Sequence, residues 1–281
     1  MQQRLVAKYP QQLVLDAGGW SERLNPDRPA LRSQLFLAGL HELGLQIANV
    51  SGHDLALGPA ALEALQDSAG VQFLSANVRV NGKPWFRPYV VLRRRVNGRT
   101  VGIGITGITM KTHRAFETWP DSLAGSFADA ATSAREVLDL LEPQTDLQIL
   151  LAYLPAAEVD KLAAQLPGLE VLVSGAGDLR EAPPRGPVPV VLSPGTKCKF
   201  LGWVALRPGA SQSLVVTGAG LDELDARVAD EAAMAKRVQA MKRRLGDPVA
   251  APAVAGSPPD AAEKPGRPGV RPQDGGARLA H

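Results

Sequence analysis

The chain is poor in the residues that usually bind metals through nitrogen or sulfur. It has four histidines and one cysteine, Cys198, in 281 residues. A single thiol excludes an internal disulfide and a structural zinc site built on several thiolates. There is no large excess of either charge. The formal net charge is +3, spread along the chain without a long basic run, so no nucleic-acid partner is expected. No apolar stretch reaches the length of a membrane span. The opening MQQRLVAKYPQQ lacks the apolar run and small-residue cleavage site of a signal peptide. As written, the chain is expected in the cytoplasm; a leader upstream of Met1 would make it periplasmic or exported. No internal repeat is evident. What is present, 45% hydrophobic and 21% charged residues, is ordinary for a soluble globular protein able to bury a sizeable core. The length allows one large α/β domain or two small ones.

Periodicity orders the chain. Leu13–Asp16 reads as a buried strand ending in the permissive turn Ala17-Gly18-Gly19. Pro29–Leu43 reads as an amphipathic helix, with Leu31, Leu35, Leu40 and Leu43 at helical spacing and Gly44 after it. Ile47–Val50 is a second buried strand, and a helix starts at Pro59. From Val71 the pattern turns to strands: Val71–Val78, Arg87–Val96 and Thr100–Gly107. Asn97-Gly98 supplies a two-residue hairpin between the last two. Met110–Gly125 reads as an irregular polar loop. A helix over Phe127–Leu141, an almost wholly apolar strand Leu147–Tyr153, a helix Glu158–Leu166 and a strand Leu169–Ser174 follow. The apolar strands suit a sheet covered on both faces. Arg180–Pro187 reads as a Pro-rich loop, and Val188–Leu192, Lys199–Leu206 and Ser213–Val216 as an antiparallel run. Leu221–Leu245 reads as a long amphipathic helix with basic last turns. From Asp247 to His281 the composition is that of a disordered tail rich in Pro, Gly and Ala. Three regions result: a domain over 1–220, a C-terminal helix over 221–246 and a tail over 247–281.

The polar turn Ser51-Gly52-His53-Asp54 lies just past a strand's carboxyl end, where open α/β layers bind ligands. His53 and Asp54 are therefore the candidate acid–base pair. The plainer reading makes Asp54 a cap for the helix near Pro59 and His53 a satisfied side chain.

The segments LVLDAGG, SGHDLALG, FLSANV, FRPYVVLRRRVNGRTVGIGITGIT, LQILLAYL, PGLEVLVSGAGD and VPVVLSPGTKCKFLGWVAL stand in this order over Leu13 to Val216. Together they resemble the N-terminal domain of the 5′-nucleotidase family within the calcineurin-like metallophosphoesterases. The resemblance implies an α/β fold, a four-layer α-β-β-α sandwich of two mixed sheets with helices outside. It also implies two divalent metals held by carboxylate, amide and imidazole groups at the strand ends.

The departures fall on those groups. The family's first D-x-H motif would lie before Leu13. Its bridging aspartate stands at Gly19, its asparagine ligand at Gly52, its L-S-H histidine at Tyr153, and the two histidines of G-H-T-H at Ala176 and Asp178. His53 remains; in the family that histidine serves the phosphate oxygens and leaving group. A lone imidazole contributes roughly 10²–10⁴-fold, far short of what phosphate ester hydrolysis requires. The expectation is a non-catalytic binding or scaffold protein with no cofactor. The alternative is a metal-dependent phosphoester (nucleotide) hydrolase with an altered or N-terminally truncated site, using His53 and Asp54 in catalysis and Asp16 and Asp178 as metal ligands of a divalent pair. A weak nucleotide or phosphate ligand fits either. Leu221–Leu245 offers a stripe for a protein partner or for self-association; the plainer reading packs it on the domain. Lys111, His113 and Trp119 border the site region in such proteins, the plainer reading being surface loop. Asp16 reads more simply as a turn carboxylate, His41 as structural, Cys198 as an inert thiol and His281 as tail. The turn Gly175-Ala176-Gly177 lacks the lysine and spacing of a P-loop.

Overall fold

The computed structural model describes residues 11–21, 28–176, 179–182, 189–195, 198–209, 214–225 and 227–246. Three parallel strands form the smaller sheet: β1 (Val14–Asp16), β2 (Leu45–Asn49) and β3 (Gln72–Leu74), in that order. Its outer face is covered by α1 (Pro29–Glu42) and α3 (Pro59–Ala69), and the four-residue α2 (Gly52–Leu55) follows β2. Leu37, Leu62, Leu65 and Phe73 are among the fully or nearly fully buried side chains of this layer.

The larger sheet is mixed. It contains β6 (Tyr89–Val96), β7 (Arg99–Thr109), β9 (Leu147–Tyr153), β10 (Val171–Ser174), β11 (Arg180–Ala182) and β12 (Val190–Ser193), in the order β11-β12-β10-β9-β7-β6. The helices α4 (Ala130–Leu141) and α5 (Ala156–Ala164) cover its outer face, with Val137, Leu138, Leu141 and Leu162 against Ile108, Leu150 and Leu172. Between the sheets, Ile47, Leu74, Ile105, Ile149 and Leu151 form a third apolar layer. The order of layers is helices, sheet, sheet, helices, as expected for the four-layer sandwich. The β9 strand is buried along its whole length, which is why its seven residues carry no alternation.

The sheets approach closely at one point. A Cβ on Gly107 of β7 would stand 2.4 Å from Asn49 Oδ1 of β2. The Asn49 amide donates to the carbonyls of Ala17 (3.0 Å) and Ile108 (2.9 Å), joining both sheets in the buried interior. A second buried amide, Asn77, donates to the Thr109 carbonyl and accepts from its N–H, while the Thr109 hydroxyl donates to the Val50 carbonyl.

Several elements differ from the sequence expectation. The expected strand Val71–Val78 is two strands, β3 and β4 (Val78–Val80), because Ser75, Ala76 and Asn77 leave the ladder to make these bonds. The strand β4 joins a small sheet with β5 (Lys83–Pro84) and β8 (Gly125–Phe127), so Phe127 belongs to a strand and α4 starts at Ala130, capped by Asp129. Residues Arg180–Ala182, expected in a loop, form the edge strand β11, and β12 runs parallel to β10 instead of antiparallel. The last ribbon is longer than expected: β13 (Phe200–Pro208) pairs with β14 (Leu214–Glu223). Leu221 therefore lies in a strand opposite Gly202, and the final helix, α6, covers Ala232–Leu245 only. It caps on Glu231 and docks on α1, with Arg237 paired to Glu42 and Met241 reaching Gly39. The expected disordered tail, 247–281, lies outside the described residues.

Candidate functional site

The carboxyl ends of β1, β2, β9 and β10 meet at one place, which carries Asp16 with Gly18 and Gly19, Ser51 to Asp54, Tyr153, and Ser174 with Gly175. The sequence turn Ser51–Asp54 and the first-strand turn thus come together as expected for a site of this architecture.

Asp54 is the knot of this region. It is fully buried. Its Oδ2 accepts from the backbone N–H of Gly19 (2.9 Å) and of Ser51 (2.8 Å), and its Oδ1 from the Ser21 N–H (2.8 Å) and hydroxyl (2.6 Å). Ser51 Oγ accepts from the Asp54 N–H, which completes a capping box around α2. Burial pushes the Asp54 carboxyl above its ordinary value, and these four donors pull it back. The carboxylate caps its own turn and fastens the β1 turn to the β2 turn. It does not cap the helix at Pro59, whose N-cap is Gly58 without a side-chain bond. With both oxygens engaged by donors, Asp54 is poorly placed to act as a base.

His53 is half-buried and meets Tyr153 edge to face, with ring centroids 6.3 Å apart and planes at 79°. Asp16 is half-buried and accepts from the Gly18 N–H (2.8 Å). Its carboxyl is raised to about 7, chiefly by burial, with the Asp54 charge adding to it. Asp178 lies outside the described residues. Among the described residues no three His, Cys, Asp or Glu side chains gather to hold a metal ion.

Tyr153 occupies the middle of the site and is 4% exposed. A Cβ on Gly19 would stand 2.2 Å from the Tyr153 ring, and one on Gly175 would stand 2.8 Å from it. Gly19 also has φ +85°, a left-handed value that any larger residue adopts at a cost. Position 52 is closed in the same way: a Cβ on Gly52 would lie 2.4 Å from Thr112 Oγ1. The aromatic ring and the threonine fill the volume beside the glycines that a ligand side chain would need. Among the described residues, the side chains at these ends do not make a donor set for a pair of divalent cations.

The loop after β7 is less of a surface loop than its composition suggests. Trp119 is buried, donates its indole N–H to the Leu55 carbonyl (2.8 Å), and packs against Phe116 and Trp85. His113 and Lys111 are exposed, and Thr112, which sequence reasoning passed over, is the loop residue that reaches the site. Its only sequence signal is its place after the end of β7. Cys198 is exposed, with φ 52°; desolvation raises its thiol, as does the Asp16 charge, which keeps it from being an activated nucleophile. His41 Nδ1 donates to the Leu45 carbonyl (3.0 Å), and its ring lies over Gly70, a structural role.

Comparison with solved structures places the fold. The calcineurin-like phosphoesterase YfkN from Bacillus subtilis superposes with a TM-score of 0.70 at 18% identity, over 86% of each chain. This chain has the calcineurin-like phosphoesterase fold. The 5′-nucleotidase precursor of Thermus thermophilus matches with a TM-score of 0.68 at 23% identity over 87% of this chain, and the NAD nucleotidase of Haemophilus influenzae with 0.66 at 15% over 87%. The chain spans about half the length of those two, 52% and 53%. In sequence, no family model and no curated protein matches it. The phosphoesterase-fold reading made from the ordered segments is thereby met at the level of the fold.

Proposed function

We propose that this chain is a phosphoesterase-fold protein that works by binding or scaffolding, without hydrolysing phosphoesters. The observation that carries the reading is the Tyr153 ring seated against Gly19 and Gly175, where a ligand side chain at either position would collide with it. Three further features support it. Asp54 spends both oxygens on backbone and hydroxyl donors. Gly52 is roofed by Thr112. His53 alone supplies acid–base help of roughly 10²–10⁴-fold, and a phosphoester needs many orders of magnitude more. A competing reading, a hydrolase with an altered metal site, draws on Asp16, whose carboxyl titrates near neutrality as a working acid or base would. Asp16, His53 and Asp178 would then be its residues. The helix α6 is available for a protein partner, and a nucleotide or phosphate is the small ligand this fold suggests.

Two measurements on the purified full chain separate the readings. Metal content is determined after equilibration with manganese and zinc, and turnover is followed on nucleoside monophosphates and bis(p-nitrophenyl) phosphate. The proposal expects substoichiometric metal and no turnover above buffer. Stoichiometric metal with turnover that disappears in Asp16→Asn would establish the hydrolase instead.

A further inference from the structure

The larger sheet ends in an open edge. β6 is last in its strand order, and among the described residues this eight-residue strand pairs with β7 alone. The two-residue turn Asn97-Gly98 sets the parity of that ladder. Its closing pair, Val96 and Arg99, exchanges backbone bonds, as do every second pair along the strand. The N–H and C=O groups of Tyr89, Val91, Arg93 and Arg95 therefore point away from β7. The same parity holds just before the strand. The Arg87 carbonyl accepts from the Ser75 N–H (3.2 Å), where Leu74 at the end of β3 makes a parallel bridge to Arg87. The edge takes up one residue of this chain there and then runs on for about 23 Å of backbone. Along that length, among the described residues, it is met by one long bond, from Arg94 Nη1 to the Arg93 carbonyl (3.4 Å).

The edge has two halves. Tyr89, Val90, Val91 and Leu92 are half-buried and pack on the apolar layers of the two faces. Arg93, Arg94 and Arg95 follow, and among the described residues no acid pairs with any of them. Arg93 lies back over Gly102, Arg94 reaches Gln46 (3.3 Å), and Arg95 is exposed. Charge on an edge strand guards it against like edges and favours one of opposite charge. A second copy of β6 would bring three more arginines to these three. A nucleic acid would meet the arginines and leave the backbone groups of Tyr89 and Val91 unpaired. An extended acidic peptide satisfies both halves, through main-chain bonds along the edge and carboxylates beside the arginines.

We propose that the open edge of β6 takes up an extended acidic segment of another polypeptide as a further, antiparallel strand. Its β-branched residues lie beside residues 89–92 and its carboxylates beside residues 93–95. Arg95 stands opposite Thr100 at the start of β7, far along the strand from the strand-end site, so this docking is independent of the chemistry proposed there.

The probe is a capped, fluorescently labelled peptide of glutamate, aspartate and glutamate followed by valine, threonine, valine and threonine, titrated into the full chain by anisotropy. Saturable binding that weakens with added salt is expected. Two versions of the peptide, N-methylated at one or the other set of alternate backbone nitrogens, keep the charge; the set that faces β6 should weaken binding about ten-fold or more, and the other should not. The double variant R94E/R95E should also bind about ten-fold or more weakly, with circular dichroism unchanged because neither arginine holds an ion pair. Amide exchange at Val91, Arg93 and Arg95 should slow on binding as those N–H groups gain partners. The absence of saturable binding overturns the proposal. So does equal binding of both methylated peptides, which means charge alone, or undiminished binding by R94E/R95E. Self-association of R94E/R95E beside a parent that binds no peptide would show that the arginines only guard the edge.

Discussion

Asp54 ties together two turns that are more than thirty residues apart in the chain, and it does so with one side chain. Removing its oxygens would leave the N–H groups of Gly19, Ser21 and Ser51 without partners in the interior. Each orphaned donor costs about 1–3 kcal/mol. Asp54→Ala is therefore expected to lower unfolding stability by about 3 kcal/mol or more, read from urea midpoints at constant slope; a loss below about 1 kcal/mol would mean the knot is not structural. Asp16 makes a separate prediction through pH. Its folded value, about 7, lies above the ordinary 3.8. Between these values the folded chain holds a proton that the unfolded chain has released, so stability falls as pH rises from 4 to 7 and levels off above. The ceiling for one such proton is about 1.4 kcal/mol per pH unit. Relative to Asp16→Asn, the parent chain should lose more stability across this window; parallel pH curves would remove Asp16 as the cause. Little of this is legible in the sequence. Asp54 reads there as a cap for the nearest helix, because the donors that claim it lie at Gly19 and Ser21, and chain separation hides them.

At the scale of elements, the turn chemistry is readable because it is local. Asn97-Gly98 makes the expected hairpin between β6 and β7, with φ 50° and 82°, and nothing lies within 4 Å of the position a Gly98 side chain would take. The cost of Gly98→Ala is then backbone strain alone, about 1 kcal/mol. Gly107→Ala has a different origin: its methyl group would meet the Asn49 amide that spans the sheets. It should cost distinctly more than Gly98→Ala in the same denaturation assay, and equal costs would argue against the close approach. The buried strands, read from their unbroken apolar runs, are legible for the same local reason. Periodicity starts the C-terminal helix too early because Leu221 fits a helical stripe and a strand equally well. What decides is its partner: Leu221 sits opposite Gly202 and packs on it, a cross-strand contact that periodicity does not encode.

For the whole molecule, the layering keeps its strand ends gathered at one point whether or not chemistry is done there. Binding of a ligand to the native state raises the melting temperature by mass action. On the proposed function, millimolar manganese or zinc is expected to leave the melting temperature of the full chain unchanged; a rise of several degrees that Asp16→Asn abolishes would contradict it. The fold itself can be read from the order of its weak segments, each placed by the spacing of the next. The blocked site can be read only as missing ligands. That a phenol ring and a threonine stand against these glycines needs the third dimension, since Tyr153, Gly19 and Gly175 are joined by nothing in the sequence.

The ring of Tyr153 also shapes what mutation can do to this chain over time. A carboxylate introduced at position 19 would strike the ring, and trimming the ring first would open a hole with no metal yet present to occupy it. Each single change is unfavourable before the other has been made. Under the proposed function, placing a carboxylate at position 19 would therefore take a paired change at Tyr153.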